Sequence, residues 1–385
     1  MASSAIPQTG VPFPKSEYDR RQKKVLEAMA RAKLDALVVT ANAHLQYLTG
    51  YDPQWGNYFA PFPLILVPGQ APTFVVRLYD EIAVRANSCI DEIVSYMHRP
   101  EFVKLTADVL RQYGAQAKKV GFELDAWGLA PADVSALQAQ LPDMKITDAT
   151  DVVRLTKAVK GDLELEVMRQ AMAITDLAIE TFQRSLRDGI TEAEMAVILN
   201  EKVKEAGGKF LMPVLAFGER NKLPHGVPAQ HPIRNNEPAL VECGGVKSGY
   251  AAGVCRGAVL GRHPETEALH SLAEEVLEAA IAAIKPGVPA GAVDAAARKV
   301  LERHGRLKAS RARVGYSTGP QWSGHRGNVS LEPGATYILE PSMTFHMPIH
   351  LWGDTGYIFG CSEHIVVTEG GAEMLSRTPH KLYRA

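Results

Sequence analysis

Four short segments of the 385-residue chain hold the residue types that acid–base or nucleophilic chemistry needs. They are LPHGVP (Leu223–Pro228), VECGG (Val241–Gly245), VGYSTG (Val314–Gly319) and LEPSMTFH (Leu339–His346). Glu242 stands mid-strand between Val241 and Cys243, ahead of two glycines that let another backbone or a ligand come close. Glu340 reads as the end of a second apolar strand, held by Pro341. Ionisable groups are costly to bury unless paired or used. Two carboxyls on strands of one sheet can serve as acid, base or nucleophile, depending on how burial separates their pKa values. The plain alternative pairs each with an arginine, Arg256 or Arg313. His225 lies in a proline-bounded loop that can present it to a cleft, though a lone loop histidine is more often simply solvated. His346 and His350 flank Met347-Pro348, and one of them is expected to reach the same cleft, His346 being taken as the substrate contact. Tyr316, between two small neighbours, can donate to a developing oxyanion, or be a packed aromatic with a satisfied hydroxyl.

These segments need strands and loops to hold them, and the patterning supplies both. In the first third, Ser16–Ala32 has helical spacing and Leu34–Thr40 is a buried-strand run. Leu64–Val67 and Thr73–Val76 read as a hairpin around Pro68-Gly69, Lys119–Glu123 as a strand, and Pro131–Gln140 as a helix. Such alternation predicts a mixed sheet covered by helices. A long helix is expected over Asp151–Leu165. The domain boundary falls there, giving an α/β domain over 1–155 and an α+β domain over 156–385. The second domain contains a weak repeat: Gly189 to Gly207 and Gly287 to Gly305 each frame a helix over 18 residues. Each is preceded by a long helix and followed by strand-rich sequence, which predicts two related helix–helix–strand–strand halves around one site. The expected strands are Leu211–Phe217, Pro238–Gly244, Tyr250–Leu260, Ala335–Leu339 and Cys361–Thr368.

Composition narrows the function classes. With 46% hydrophobic and 22% charged residues the chain is globular, and its length favours two cores. A net charge of −1 without charge blocks argues against nucleic acid as a partner. No apolar stretch reaches the roughly 18 residues that cross a bilayer, and the N-terminus lacks a secretory pattern. The four scattered cysteines (Cys89, Cys243, Cys255, Cys361) read as reduced thiols in a cytoplasmic protein.

Taken together, the segments resemble the pita-bread superfamily of creatinases, prolidases and methionine aminopeptidases over nearly the whole chain. LDALVVTANAHLQYLTGYD (Leu34–Asp52) is similar to the creatinase-type N-terminal domain. VVRLTKAVKGDLELEVMRQAMAITDLA (Val152–Ala178) resembles the family's linker helix, and HIVVTEGGAEMLS (His364–Ser376) its final strand and turn. The resemblance implies a homodimer with a small-molecule substrate.

Metal-dependent members hold two divalent ions with two Asp, one His and two Glu. On this resemblance the first Asp position is Glu242 and the second, eleven residues on, is Gly253. The His position is Tyr316. Glu340 stands for the first Glu and Ser362 for the second, with Glu363 turned to the opposite face. Two ligands of five are too few for a pair of hard cations, so no metal and no cofactor are expected. VGYSTG and LEPSMTFHMPIHLWGD (Leu339–Asp354) are similar to the ectoine-hydrolase branch, which like the creatinases cleaves C–N bonds without metal. LPHG matches the superfamily's substrate-facing histidine at His225.

The expected function is therefore metal-independent hydrolysis of an amide, amidine or ureido carbon in a small amino-acid derivative. His225 moves protons, Glu242 attacks the carbon or activates water, Glu340 binds a cationic nitrogen and Tyr316 steadies negative charge. The aromatic loop YDPQWGNYFAPF, with Tyr51, Trp55 and Tyr58, is expected either to close the pocket against a neighbouring subunit or to serve domain packing. The alternatives are a metal-dependent Xaa-Pro dipeptidase and an inactive peptide- or partner-binding domain.

Overall fold

A computed structural model of the chain describes residues 10–52, 61–211, 213–322 and 328–385. Trp55 and Tyr58 lie outside the described residues. The chain divides into two compact units, one running to Lys157 and one from Ala158 to Ala385.

The first unit is a mixed sheet of β1 (Ala36–Val39), β2 (Leu64–Leu66), β3 (Thr73–Arg77), β4 (Glu92–Tyr96), β5 (Lys119–Phe122) and β6 (Lys145–Asp148), ordered β4-β3-β2-β1-β5-β6. The β2–β3 pair is the hairpin expected at Pro68-Gly69, where Gly69 takes a left-handed φ of 80°. Both faces of the sheet are covered, which is why β1 is apolar at every position. Leu37 and Val39 share a core with α1 (Lys15–Arg31) and α2 (Asn42–Thr49), completed by Val84 of α3 (Glu81–Asn87). On the other face Ala36 and Val38 meet α4 (Glu101–Gln112) and α5 (Pro131–Gln140). Tyr51 is a core residue of this unit, its ring against Phe62 and Phe74.

The helix expected over Asp151–Leu165 is two helices, α6 (Thr150–Ala158) and α7 (Asp162–Ser185). The break has a local cause: Gly161 caps α7, and Glu164 reaches back 2.9 Å to the Gly161 amide.

The second unit bears out the two-halves reading. Its first half runs α7, α8 (Glu192–Glu205), β7 (Lys209–Phe210), β8 (Val214–Phe217), β9 (Glu237–Lys247) and β10 (Tyr250–Leu260). The second runs α9 (Pro264–Ala282), α10 (Ala290–Arg303), β11 (Gly315–Ser317), β12 (Ser330–Leu331), β13 (Thr344–Trp352) and β14 (Ile358–Thr368), followed by β15 (Gly371–Met374) and β16 (Tyr383–Arg384). The four glycines that frame α8 and α10 all take left-handed φ angles. Two sheets result, β16-β10-β9-β7 with β8 also on β9, and β12-β11-β13-β14-β15.

One strand was misplaced. Ala335–Leu339 forms only an isolated bridge through Ile338 to Pro289, and the paired strand is β13, beginning at Thr344. Pro341 and the left-handed Ser342 make the turn between them. Pro348 disguises β13 in the sequence; it is tolerated because the β11 ladder ends at Phe345 and His346.

Candidate active site

Strand alternation decides which side chains of the second unit can meet. On β9, Val241 and Cys243 point into the core under α7 and α8, so Leu240, Glu242 and Gly244 face the other way. Their β10 partners on that face are Gly253, Cys255 and Gly257. β13 and β14 offer His346, Pro348, His350 and Trp352 with Ile358, Ser362 and His364 on one face of their own sheet. These two faces meet. The Cys255 amide donates to Ser362 Oγ at 2.6 Å, and His350 Nε2 lies 3.1 Å from Cys255 Sγ. A cavity of about 250 Å³ opens between them, lined among others by Val214, His225, Glu242, Arg313, Tyr316, Pro348 and His350.

Glu242 is the cavity's carboxyl. It has no hydrogen-bond or ion-pair partner among the described residues, and burial alone pushes its pKa up to about 7. That value suits a group that must hold and release a proton near neutrality. His350, half-buried in the same cavity wall, is held neutral: burial first, then the nearby His225, bring its pKa down to about 4.

His225 stands exposed at the rim with a left-handed φ of 55°. Its loop is pinned from below by Glu192, the first residue of α8. The buried Glu192 carboxylate accepts from Arg220 Nε at 2.8 Å and from the amides of Phe217 and Ala229 at 2.9 Å. Arg220 Nη2 in turn donates 2.8 Å to the Val227 carbonyl.

Tyr316 enters from β11, opposite His346 on β13. Its hydroxyl is 2.9 Å from His346 Nδ1, and His346 Nε2 is 2.8 Å from Ser362 Oγ. Burial and the Glu242 charge hold the phenol protonated by raising its pKa. His346 is itself wholly buried behind Tyr316 and does not line the cavity; of the two histidines that flank Met347-Pro348, His350 is the one that does. The Trp322 indole lies 4.9 Å from the His346 ring and covers Gly244 and Gly253.

The arrangement corrects the placement of Glu340. It is exposed, sits in the turn that leads into β13 and does not line the cavity; the residue across the ladder from Ser362 is Pro348. Both arginines are engaged elsewhere. Arg256 is buried 2.9 Å from Glu363, which faces away from the cavity as expected. Arg313 stacks 4.6 Å from the Tyr316 ring centre. Tyr51, part of the first unit's core, is buried there and not a lining residue.

Sequence reasoning missed Trp322, Glu192 and the supporting role of His346. The one signal for Trp322 was the pair Gly244 and Gly253, whose strands place them opposite each other beneath a large neighbour.

Residues 166–369 match metallopeptidase family M24, and residues 21–158 match the creatinase/prolidase N-terminal domain. The chain belongs to family M24. An uncharacterized hydrolase/peptidase, y4tM of Sinorhizobium fredii, is 30% identical over 96% of this chain and 98% of its own length. The ectoine hydrolase of Halomonas elongata is 28% identical over 98% of this chain and 99% of its own. Among solved structures, the dipeptidase PepE of Mycobacterium ulcerans superposes with a TM-score of 0.84 at 23% identity, covering 97% of this chain and 99% of that one. That likeness is one of fold. As an M24-family hydrolase, the chain carries both family domains.

The M24 metal pair does not fit this cavity. Of the five ligand positions implied by the resemblance, Glu242 alone brings a carboxyl to the cavity; Gly253 and Ser362 cannot replace carboxylates, a protonated Tyr316 phenol is a poor stand-in for an imidazole, and Glu340 is elsewhere. Among the described residues no group of three or more His, Cys, Asp or Glu side chains is arranged to hold a metal ion. The indole occupies the ground beside Gly253, where a Cβ would come within 2.1 Å of Trp322.

Proposed function

We propose that the protein is a metal-independent hydrolase that cleaves a C–N bond in a small amino-acid derivative, as an ectoine hydrolase or creatinase does. The observation that carries this reading is the make-up of the cavity wall: among the described residues Glu242 is its one carboxyl, poised at about 7, and the Tyr316 phenol lines the same space. The cavity's size points the same way, since about 250 Å³ is below the usual range for drug-sized ligands.

Glu242 acts ionised, either taking a proton from water as it attacks the carbon or bonding to the carbon itself. Tyr316 donates to the oxygen or nitrogen on which negative charge builds. His225 at the rim hands a proton to the leaving nitrogen as the C–N bond breaks. In the covalent route, water then releases the acyl group from Glu242. Glu340 has no part, because it lies outside the cavity.

The protein works on this reading as a cytoplasmic homodimer. Turnover should be sought by incubating purified protein with ectoine, creatine, related amidines and Xaa-Pro dipeptides, with and without EDTA. Chelator-resistant hydrolysis of a non-peptide C–N bond supports the proposal. Hydrolysis confined to Xaa-Pro dipeptides and abolished by EDTA would restore the metallopeptidase.

A further inference from the structure

The hydrogen bonds behind Tyr316 have a direction, and it follows from counting protons. Ser362 Oγ is fully buried and has two partners, the Cys255 amide at 2.6 Å and His346 Nε2 at 2.8 Å. An amide can only donate, so the Ser362 proton has one acceptor within reach, His346 Nε2. A buried hydroxyl that gave up this bond would leave its proton unsatisfied, which costs more than an ordinary hydrogen bond contributes.

His346 Nε2 is therefore unprotonated. The ring is neutral, because burial and then the neighbouring His364, His350 and Arg256 all oppose a positive charge on it. A neutral imidazole carries one proton, which must be on Nδ1, and Nδ1 faces the Tyr316 oxygen at 2.9 Å. The Trp322 side chain also hydrogen-bonds that oxygen, and an indole nitrogen can only donate. The phenol oxygen thus accepts twice, and its own proton has to point away from both donors. Tyr316 lines the cavity, so the remaining direction is into it.

We propose that Ser362, His346 and Trp322 are positioning residues that lock the Tyr316 hydroxyl as a one-way donor into the cavity. Three of the parts stand at or beside places that bind metal in metal-dependent relatives: Tyr316 and Ser362 at ligand positions, Trp322 against Gly253. A polarised hydroxyl aimed into the cavity does for developing negative charge what a cation would do, without being one. The catalytic half of this proposal rests on the hydrolase reading above; the tautomer does not.

The tautomer is directly observable. Full-length protein labelled with ¹⁵N-histidine is read by long-range ¹H–¹⁵N NMR at neutral pH, with His346→Gln assigning the signals. The expected pattern is Nδ1 protonated and Nε2 bare. A proton on Nε2, or on both nitrogens, would overturn the proposal. Ser362→Ala, a small truncation, should move His346 toward the Nε2–H form and lower kcat roughly a hundredfold, the scale of losing one oxyanion donor, with KM nearly unchanged. In a Tyr316→Phe background the same truncation should cost nothing further; a full additional loss would make Ser362 merely structural. Should no compound be turned over while the Nδ1–H tautomer is seen, the hydrolase reading fails and the locked hydroxyl stands.

Discussion

The indole of Trp322 occupies the space that any side chain on Gly253 would need: a Cβ there would lie 2.1 Å from the indole Cζ3 and 2.2 Å from the Cys243 carbonyl oxygen. Replacing this glycine cannot be a neutral change. Gly253→Asp is expected not to create a metal site, and the purified variant should carry no more divalent metal than the wild type. Gly253→Ala should destabilise by at least the 1–3 kcal/mol or so typical of overpacking, read from urea unfolding. Trp322→Ala should restore only part of that, since the carbonyl contact stays. A stable Gly253→Asp protein with stoichiometric zinc or manganese would refute the account of the filled site.

Glu242 sets the acid side of the pH profile. Base and nucleophile both need the ionised carboxyl, so kcat/KM should rise with pH through about 7 and then level off until another group intervenes. Glu242→Gln should abolish turnover while leaving substrate binding largely intact. An active Gln variant would remove Glu242 from the chemistry. Trapping an adduct on the Glu242 peptide after rapid quenching distinguishes nucleophile from base.

The same carboxyl gives a stability signature with a definite sign. Its pKa is raised from 4.5 to about 7 on folding, so the folded state holds this proton more tightly than the unfolded chain. The resulting stabilisation is fully present below 4.5 and is lost as pH rises through about 7. Glu242→Gln lacks this dependence. Its Tm relative to wild type should climb between those two values and then flatten; a difference independent of pH would show that the carboxyl is not perturbed.

His225 should be separable from the fold. Being exposed on a loop, it can be replaced by alanine with little change in Tm, while kcat falls roughly a hundredfold or more, the usual scale for a general acid–base. Wild-type kcat in His225→Ala would return the residue to solvent.

Glu192 lies deep beneath that loop and should control it. Glu192→Gln keeps the shape but weakens the grip on Arg220, Phe217 and Ala229. A stability loss of about 1–3 kcal/mol is expected, together with a drop in kcat that His225→Ala does not deepen further. Unchanged kcat would show that the loop holds its shape without the clamp.

Much of this was legible in the residues. Gly207 and Gly305 close α8 and α10 by a local rule, and Gly189 and Gly287 make the turns ahead of them, so the repeat could be read from one sequence. Glu242 between two core residues could be assigned to the cavity face because strand alternation is strict. Glu340 could not be placed, because a turn at Ser342 and a proline inside β13 shifted the apparent strand toward it. His346 looked like a substrate contact because its type suits one. Its burial depends on β11, β14 and Trp322 closing around it, which no local pattern encodes.

A cavity carboxyl half-ionised at neutral pH also makes ligand binding a proton-coupled event. A cationic substrate settling beside Glu242 favours the charged form, so binding must expel up to about half a proton per site into the medium. The heat measured by calorimetry would then change with the ionisation enthalpy of the buffer. Affinity for a cation would weaken as the solution is acidified, even though the ligand's own charge never alters. A neutral ligand of the same shape would release nothing, so the cavity sorts its ligands partly by what they do to the acidity around them.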